Sequence, residues 1–176
     1  VLNKSSGDPV LSAAQRHTHF LDSPRMTAVL GHSDFAFGDL KSRTATVFLV
    51  LPPDRLGTYA RWLRLMVTQS LQDMARAPGK PPAPVLYLLD EFAALGHLAP
   101  IEQAMGLMAG YGVQLWPILQ DVHQHRATYG QRAGTFLSNA GVLQVFCVND
   151  HESARLVSDL LGQETVVFQT MSRALD

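Results

Sequence analysis

The chain has 176 residues, of which 47% are hydrophobic, and its 14 lysines and arginines nearly balance 15 acidic residues. This length and composition predict one buried core, so the chain is a single domain or part of one. The even charge gives no electrostatic argument for nucleic-acid binding by this chain alone, and no apolar run approaches the roughly 20 residues that span a bilayer.

The single cysteine, Cys147, lies in an apolar run, so a disulfide framework is excluded and we expect a buried thiol in a reducing compartment. The chain begins at Val1 without an initiator methionine, and its first residues do not resemble a signal peptide. We therefore expect an excised fragment of a longer protein.

Residues 1 to about 45 contain many polar and helix-breaking residues around two short predicted helices. One runs from about Pro9 to Phe20, and the other follows Ser23-Pro24, a favourable start for a helix. His17 and His19 have no third ligand at a suitable spacing, so we assign them no metal role.

A strand is predicted at Thr46–Leu51, where an apolar run is stopped by two prolines. From Asp54 to Met74 the apolar residues recur at helical spacing, which predicts a long helix packed on a sheet. Its arginines, Arg55, Arg61 and Arg64, lie largely away from that apolar face. They could contact phosphates, but a solvated charged face is the default interpretation.

A proline-rich loop follows at residues 77–84, and its Gly79-Lys80 pair lacks the flanking residues of a phosphate-binding loop.

The next run, Val85–Leu89, is apolar without alternation, as in a parallel strand covered on both faces. It ends in Asp90 and Glu91. This is the pattern of the Walker B strand of P-loop ATPases, in which the first acid would hold Mg²⁺ and the second would activate the attacking water. The alternative is a buried strand followed by an aspartate that caps the next helix.

The remaining pattern alternates helices with apolar runs. A helix is predicted around Leu98 to Met108, a strand at Val113–Leu119 in spite of Pro117, and two helices between Asp121 and Asn139. A strand at Val142–Val148 and a helix capped by Asn149-Asp150 complete the chain. This alternation predicts an α/β fold with a parallel sheet flanked by helices.

Polar residues follow three of the predicted strands: Asp90 and Glu91, then Gln120, then Asn149 and Asp150. In a parallel sheet these strand ends lie on one edge. Gln120 would then sense the γ-phosphate of ATP or hold the attacking water, as glutamines do in other phosphoryl-transfer sites.

These residues also carry a resemblance to the TraG-type coupling protein family of conjugation and type IV secretion. The similar stretches occur in the same order over almost the whole chain: Gln15-Arg16-His17-Thr18, Leu51-Pro52-Pro53-Asp54-Arg55-Leu56, Leu88-Leu89-Asp90-Glu91-Phe92-Ala93-Ala94-Leu95-Gly96, Gly110-Tyr111-Gly112-Val113, Leu119-Gln120-Asp121, Tyr129-Gly130 and Asn139-Ala140-Gly141.

The resemblance implies the carboxyl-terminal half of a RecA-like ATPase domain that uses ATP and Mg²⁺, with Asp90 and Glu91 as Walker B acids and Gln120 as the sensor glutamine. It implies a homohexamer at the cytoplasmic face of the bacterial inner membrane, anchored by segments outside this chain. Such a protein delivers single-stranded DNA with its relaxase, or protein effectors, to the other subunits of the secretion channel. Residues 46–176 would belong to the ATPase domain. Residues 1–45, a helical and irregular lead-in, would be either the return from an inserted all-α domain, which we favour, or part of the ATPase core itself.

Two departures from the family pattern matter. The Walker A loop, which lies upstream in the family, is absent from this sequence, so we expect the chain alone to be inactive. Family members often carry a basic residue, a candidate arginine finger, just ahead of the Gly-Tyr-Gly turn, where this chain has Met108-Ala109. Arg126, Arg132 and Arg155 are possible substitutes, none of them favoured.

The competing class of function is a binding module. A substrate-receptor or oligomerisation module of a secretion system would use the same fold without turnover. An α/β hydrolase is disfavoured because the chain has no Gly-x-Ser-x-Gly elbow, and a zinc protease because His151-Glu152 is not part of an H-E-x-x-H motif.

Overall fold

Two parallel strands lie at the centre of the computed structural model, which describes residues 9–164. Strand β1 (Val85–Leu89) pairs with β2 (Val113–Pro117), and Val85 lies opposite Val113. The connection between them contains helix α4 (Ala99–Leu107), flanked by 3₁₀ turns at Phe92–Leu95 and Met108–Tyr111. The predicted parallel pairing and the mixed α/β class are confirmed.

The amino-terminal part is helical, as predicted. Helix α1 (Pro9–Thr18) continues into a 3₁₀ turn at His19–Asp22, and α2 (Pro24–Leu30) begins at the predicted proline. Phe20 and Met26 pack with Trp62 of the next helix in a small buried cluster. Further 3₁₀ turns occur at Phe37–Lys41 and Pro53–Arg55.

Helix α3 (Leu56–Arg76) is the longest helix, and its apolar side packs into the main core as its periodicity predicts. That core joins α3 to side chains of β1, β2, α4 and the helices that follow β2. Its most deeply buried large side chains are Met74, Phe92 and Ile101. One face of the sheet is therefore anchored to the helices.

In the part of the chain that the structure describes, three α-helices follow β2: α5 (Val122–Tyr129), α6 (Ala133–Asn139) and α7 (His151–Leu161). Asp121 and Asp150 cap α5 and α7, each accepting a hydrogen bond from the backbone N–H three residues later at 2.6 and 2.8 Å. The predicted cap of the last helix is thus confirmed for Asp150. Within residues 9–164, no helix is long and apolar enough to cross a membrane.

Two predicted strands are wrong in the described structure. Residues 46–51 and 142–148 form no strand, because a strand exists only where another backbone pairs with its N–H and C=O groups. Residues 46–51 still alternate, with Val47, Leu49 and Leu51 half-buried and the residues between them exposed. Residues 142–148 are exposed throughout, so the prediction of a buried Cys147 is also wrong.

The second strand is shorter than predicted, since it ends at Pro117 rather than Leu119. Proline has no N–H to donate to a ladder, and Pro117 lies at the last paired position, opposite Leu89.

The expectation that both faces of β1 are covered is not met within residues 9–164. Leu86 and Leu88 on β1 are exposed, as is Trp116 on β2, because the described residues provide a packing layer for one face only.

Candidate functional site at the ends of the two strands

Asp90 and Glu91 are looped out of the chain immediately after β1. The Ile118 N–H donates to the Leu89 carbonyl at 3.0 Å, and the Phe92 N–H donates to the Ile118 carbonyl at 3.2 Å. Two hydrogen bonds to one residue of the neighbouring segment therefore flank the two acids. Both acids are exposed to solvent. The backbone of Ile118 thus fixes where the carboxylates leave the sheet.

Glu91 has a left-handed backbone conformation, with φ +47° and ψ +43°. This conformation costs a non-glycine residue about 1–2 kcal/mol, and strained residues of this kind cluster at functional sites. The conformation is stabilised on both sides. The Glu91 N–H donates to Asp90 Oδ1 at 3.1 Å, and the Glu91 carbonyl accepts from the Ala94 N–H at 2.8 Å.

Phe92 anchors this loop in the core. Its side chain is 1% exposed and lies 5.7 Å from the rings of Tyr129 and Phe136, measured between ring centroids. On the far side of the loop, the Arg64 guanidinium of α3 donates to the Leu95 carbonyl. The default expectation of a purely solvated Arg64 is therefore wrong, since this side chain holds the end of the loop against α3.

Gln120 reaches Glu91 from the end of the neighbouring strand. Its Nε2 lies 3.3 Å from Oε1 and 3.3 Å from Oε2 of Glu91, so one amide group donates to the carboxylate. The structure thus brings together two of the residues that the sequence assigned to one site. Asp150, also expected at this edge, contacts Ser153 and His123 instead.

The carboxylate oxygens at this site are of the kind that Mg²⁺ prefers as ligands. Mg²⁺ in nucleotide sites takes one or two protein carboxylates and completes its shell with phosphate oxygens and waters. Asp90 and Glu91 supply two exposed carboxylates, and within residues 9–164 no group of three or more His, Cys, Asp or Glu side chains forms a metal cage. His17 and His19, to which no role was assigned, are exposed.

The predicted arginine-finger substitutes are all engaged within the chain. Arg126 forms an ion pair with Glu152, and Arg132 Nη1 lies 2.9 Å from Glu102 Oε1. Arg155 Nε lies 4.0 Å from Asp159 Oδ2 on its own helix. All three arginine side chains are more than half exposed, and because each is paired within the chain, the structure favours none of the three as an arginine finger.

The sequence reasoning missed how α5 supports Gln120. The Gln120 N–H donates to Gln124 Oε1 at 3.5 Å, while the Gln124 N–H donates to Asp121 Oδ1. The spacing Asp-x-x-Gln is a signal that could have identified this support, because a capping residue followed three positions later by Glu or Gln marks a helix start with reciprocal hydrogen bonds. The contacts between α5 and α7 have no comparable local signal.

Comparisons with known proteins show which proteins this chain is similar to. Residues 3–176 match the family model described as type IV secretory system conjugative DNA transfer. The chain is 30% identical to a probable conjugal transfer protein TraG of Sinorhizobium fredii over 167 residues. The matched region covers 94% of the chain and 26% of that protein. It is 35% identical over 152 residues to the protein VirD4 of Rhizobium rhizogenes, covering 85% of the chain and 22% of that protein.

A third relative is a type IV secretion system-coupling protein VirD4 of Bartonella quintana, 27% identical over 158 residues, with 89% of the chain and 25% of that protein covered. The chain therefore spans about a quarter of the length of these three relatives.

Proposed function

The chain belongs to the TraG-type coupling proteins of the conjugative DNA transfer family, and from this premise we propose that it is the carboxyl-terminal part of a RecA-like ATPase domain. In this proposal, residues 46–176 belong to that domain and residues 1–45 return from an inserted all-α domain. The longer protein is a homohexamer at the cytoplasmic face of the inner membrane. It delivers single-stranded DNA with its relaxase, or protein effectors, to the secretion channel.

The contact between Glu91 and Gln120 carries the catalytic part of the proposal. It joins the ends of two neighbouring parallel strands, the edge at which ligands of open α/β sheets bind. The strained backbone of Glu91 gives further support, because such strain is retained where function requires it.

Each residue then has a role in ATP hydrolysis. Asp90 holds Mg²⁺, directly or through water, and Glu91 accepts a proton from the attacking water. Gln120 orients that water beside Glu91. Bound Mg²⁺ supplies positive charge that offsets the charge developing on the phosphate oxygens. The phosphate-binding loop and its lysine come from the longer protein, so the present chain alone is inactive.

Steady-state ATPase activity of the longer protein tests this proposal. Glu91→Gln should lower turnover by about 10²-fold or more while ATP binding is retained, because the amide cannot accept the proton. Glu164→Gln, which makes the same change at an exposed glutamate beyond α7, is the control and should leave turnover unchanged. Stimulation by single-stranded DNA would support DNA as the transported substrate.

A substrate-receptor or oligomerisation module without turnover is the second candidate. The exposed apolar side chains Leu86, Leu88 and Trp116 favour it, since exposed apolar patches mark interaction surfaces. Lack of turnover in the wild-type protein, or unchanged turnover in Glu91→Gln, would reject the ATPase proposal in favour of this one.

A further inference from the structure

We infer that the first turn of α7 positions Gln120, and that Glu152 and Ser153 are therefore positioning residues for the reaction. This inference rests on the proposed ATPase function. It concerns residues of α5 just after Gln120 and residues at the start of α7, about 30 positions beyond Gln120. We call them together the α5–α7 junction: Val122, His123, Arg126, Asp150, Glu152 and Ser153.

Gln120 depends on α5 for its position. Its side chain is exposed and bonded to Glu91, which is exposed as well, so that contact alone cannot fix either group. Its backbone N–H is bonded to the Gln124 side chain, and Asp121 caps α5 directly after it. A shift of the amino terminus of α5 would therefore move Gln120 relative to Glu91.

The α7 helix holds that amino terminus through its own first turn. The Val122 N–H, the first of α5, donates to Ser153 Oγ at 3.4 Å. Ser153 is buried, and it faces one of the backbone donors that a helix leaves unsatisfied at its start. This hydrogen bond ties the first residue of α5 to a buried point of α7.

A side-chain contact from His123 and an ion pair from Arg126 reinforce the bond. His123 Nδ1 lies 2.7 Å from Glu152 Oε2, and the Arg126 guanidinium pairs with the other oxygen of the same carboxylate. His123 Nε2 lies 3.5 Å from Asp150 Oδ1. The Glu152 side chain is only 28% exposed, so its ion pair with Arg126 is less screened by solvent than a fully exposed pair would be.

The junction is the principal attachment of α7 within the described residues. The carboxyl-terminal half of the helix packs little, since Leu160 is 60% exposed and Leu161 is 82% exposed. Within residues 9–164, the structural role of α7 is therefore to support the start of α5.

Steady-state kinetics of the longer protein test the inference with Glu152→Gln and Ser153→Ala. Misplacement of a reacting group by about 1 Å can lower rates by about 10²-fold, and partial loosening of Gln120 should lower kcat by about 10-fold. KM for ATP should stay within about twofold, because Gln120 acts on the water rather than on nucleotide binding. Ser153→Thr, which keeps the hydroxyl, should restore kcat.

Asp159→Asn is the matched control. It removes one negative charge from the same helix, but Asp159 pairs with Arg155 of α7 and not with α5. It should leave kcat unchanged.

Measuring the effect of Glu152→Gln in a Gln120→Ala protein separates a positioning role from a general loss of stability. If α7 acts through Gln120, then Glu152→Gln should cause no further loss in a Gln120→Ala protein. An equal loss of kcat in both backgrounds, or unchanged kcat in both single variants, would overturn the inference. If Glu91→Gln also left turnover unchanged, the proposed ATPase function would fail, and this inference would fail with it. If Glu91→Gln had a large effect but the junction variants had none, the inference alone would be rejected.

Discussion

The amide nitrogen of Gln120 lies 3.3 Å from each carboxylate oxygen of Glu91, although the two residues are 29 positions apart. They meet because β1 and β2 run parallel and end side by side, with the Ile118 backbone bonded to both sides of the Asp90-Glu91 loop. The parallel pairing of the two strands therefore brings the two side chains together.

The left-handed backbone of Glu91 predicts that Glu91→Gly stabilises the protein. Relief of about 1–2 kcal/mol of backbone strain should exceed the extra conformational entropy that glycine gives the unfolded chain, leaving a net gain of about 0.5–1 kcal/mol. Urea denaturation would measure the gain. Glu91→Gln keeps the Cβ and the strain, so it should be nearly neutral; a loss of stability in Glu91→Gly would contradict the strain assignment.

Gly112 should not tolerate a side chain. Its φ is +76°, and a Cβ atom there would lie 2.3 Å from Cδ of Pro81 in the proline-rich loop. The backbone strain alone predicts that Gly112→Ala lowers the free energy of unfolding by about 1–2 kcal/mol, and the clash adds to this. Gly110→Ala, where a Cβ meets no atom within 4 Å, is the control and should change stability by less than about 0.5 kcal/mol. Equal effects in the two variants would contradict both the backbone strain at Gly112 and the packing of the loop on it.

Phe92 links the candidate site to the core, so truncating its side chain should be costly. Phe92→Ala should lower the free energy of unfolding by about 3–5 kcal/mol, the range for large aromatic residues in cores. Phe48 is 80% exposed, and the same substitution there should change stability by less than about 0.5 kcal/mol. Thermal or urea unfolding of the two variants, compared side by side, would reveal whether Phe92 anchors the loop.

The cap of α7 should make that helix sensitive to acid. Hydrogen bonds from the Ser153 side chain and from its backbone N–H, together with the charge of His123, lower the pKa of Asp150 below its ordinary value of 3.8. Because the folded pKa is lower than the unfolded one, this stabilisation is complete above pH 3.8 and is lost as the pH falls through the folded pKa.

Hydrogen exchange of the α7 backbone amides between pH 5 and pH 3 would measure this effect. Asp150→Asn keeps a capping oxygen without a titrating charge, so its exchange protection should change less over the same interval once the intrinsic pH dependence of exchange is removed. The same pH dependence in both proteins would exclude Asp150 as the cause.

Sequence patterns predicted the helices well, because helical periodicity and capping are local. The apolar spacing from Leu56 to Met74 and the cap at Asp150 both correspond to observed helices. The strand ending in Asp90 and Glu91 was also predictable, because an unbroken apolar run followed by two acids is distinctive. These local signals were sufficient to predict the α/β class and the part of the site that Asp90 and Glu91 form.

The remaining features depend on partners that the local sequence does not specify. Residues 46–51 and 142–148 have strand-like composition, but a strand also needs a paired backbone, which neither segment has in the described structure. His125 is a further example. It is 5% exposed and lies edge-on to Phe136 at 4.7 Å, and burial lowers its pKa. Only the packing of α5 on α6 reveals that environment.

A double-mutant cycle on Glu91 and Gln120 tests the central claim most directly. Turnover of ATP would be measured in the longer protein as wild type, Glu91→Gln, Gln120→Ala and the double variant. Groups that act as one unit are strongly non-additive, so the double variant should be no slower than Glu91→Gln alone. Losses that multiply, with the double variant slower by the product of the two single effects, would show that Glu91 and Gln120 act independently and would contradict a shared site at the strand ends.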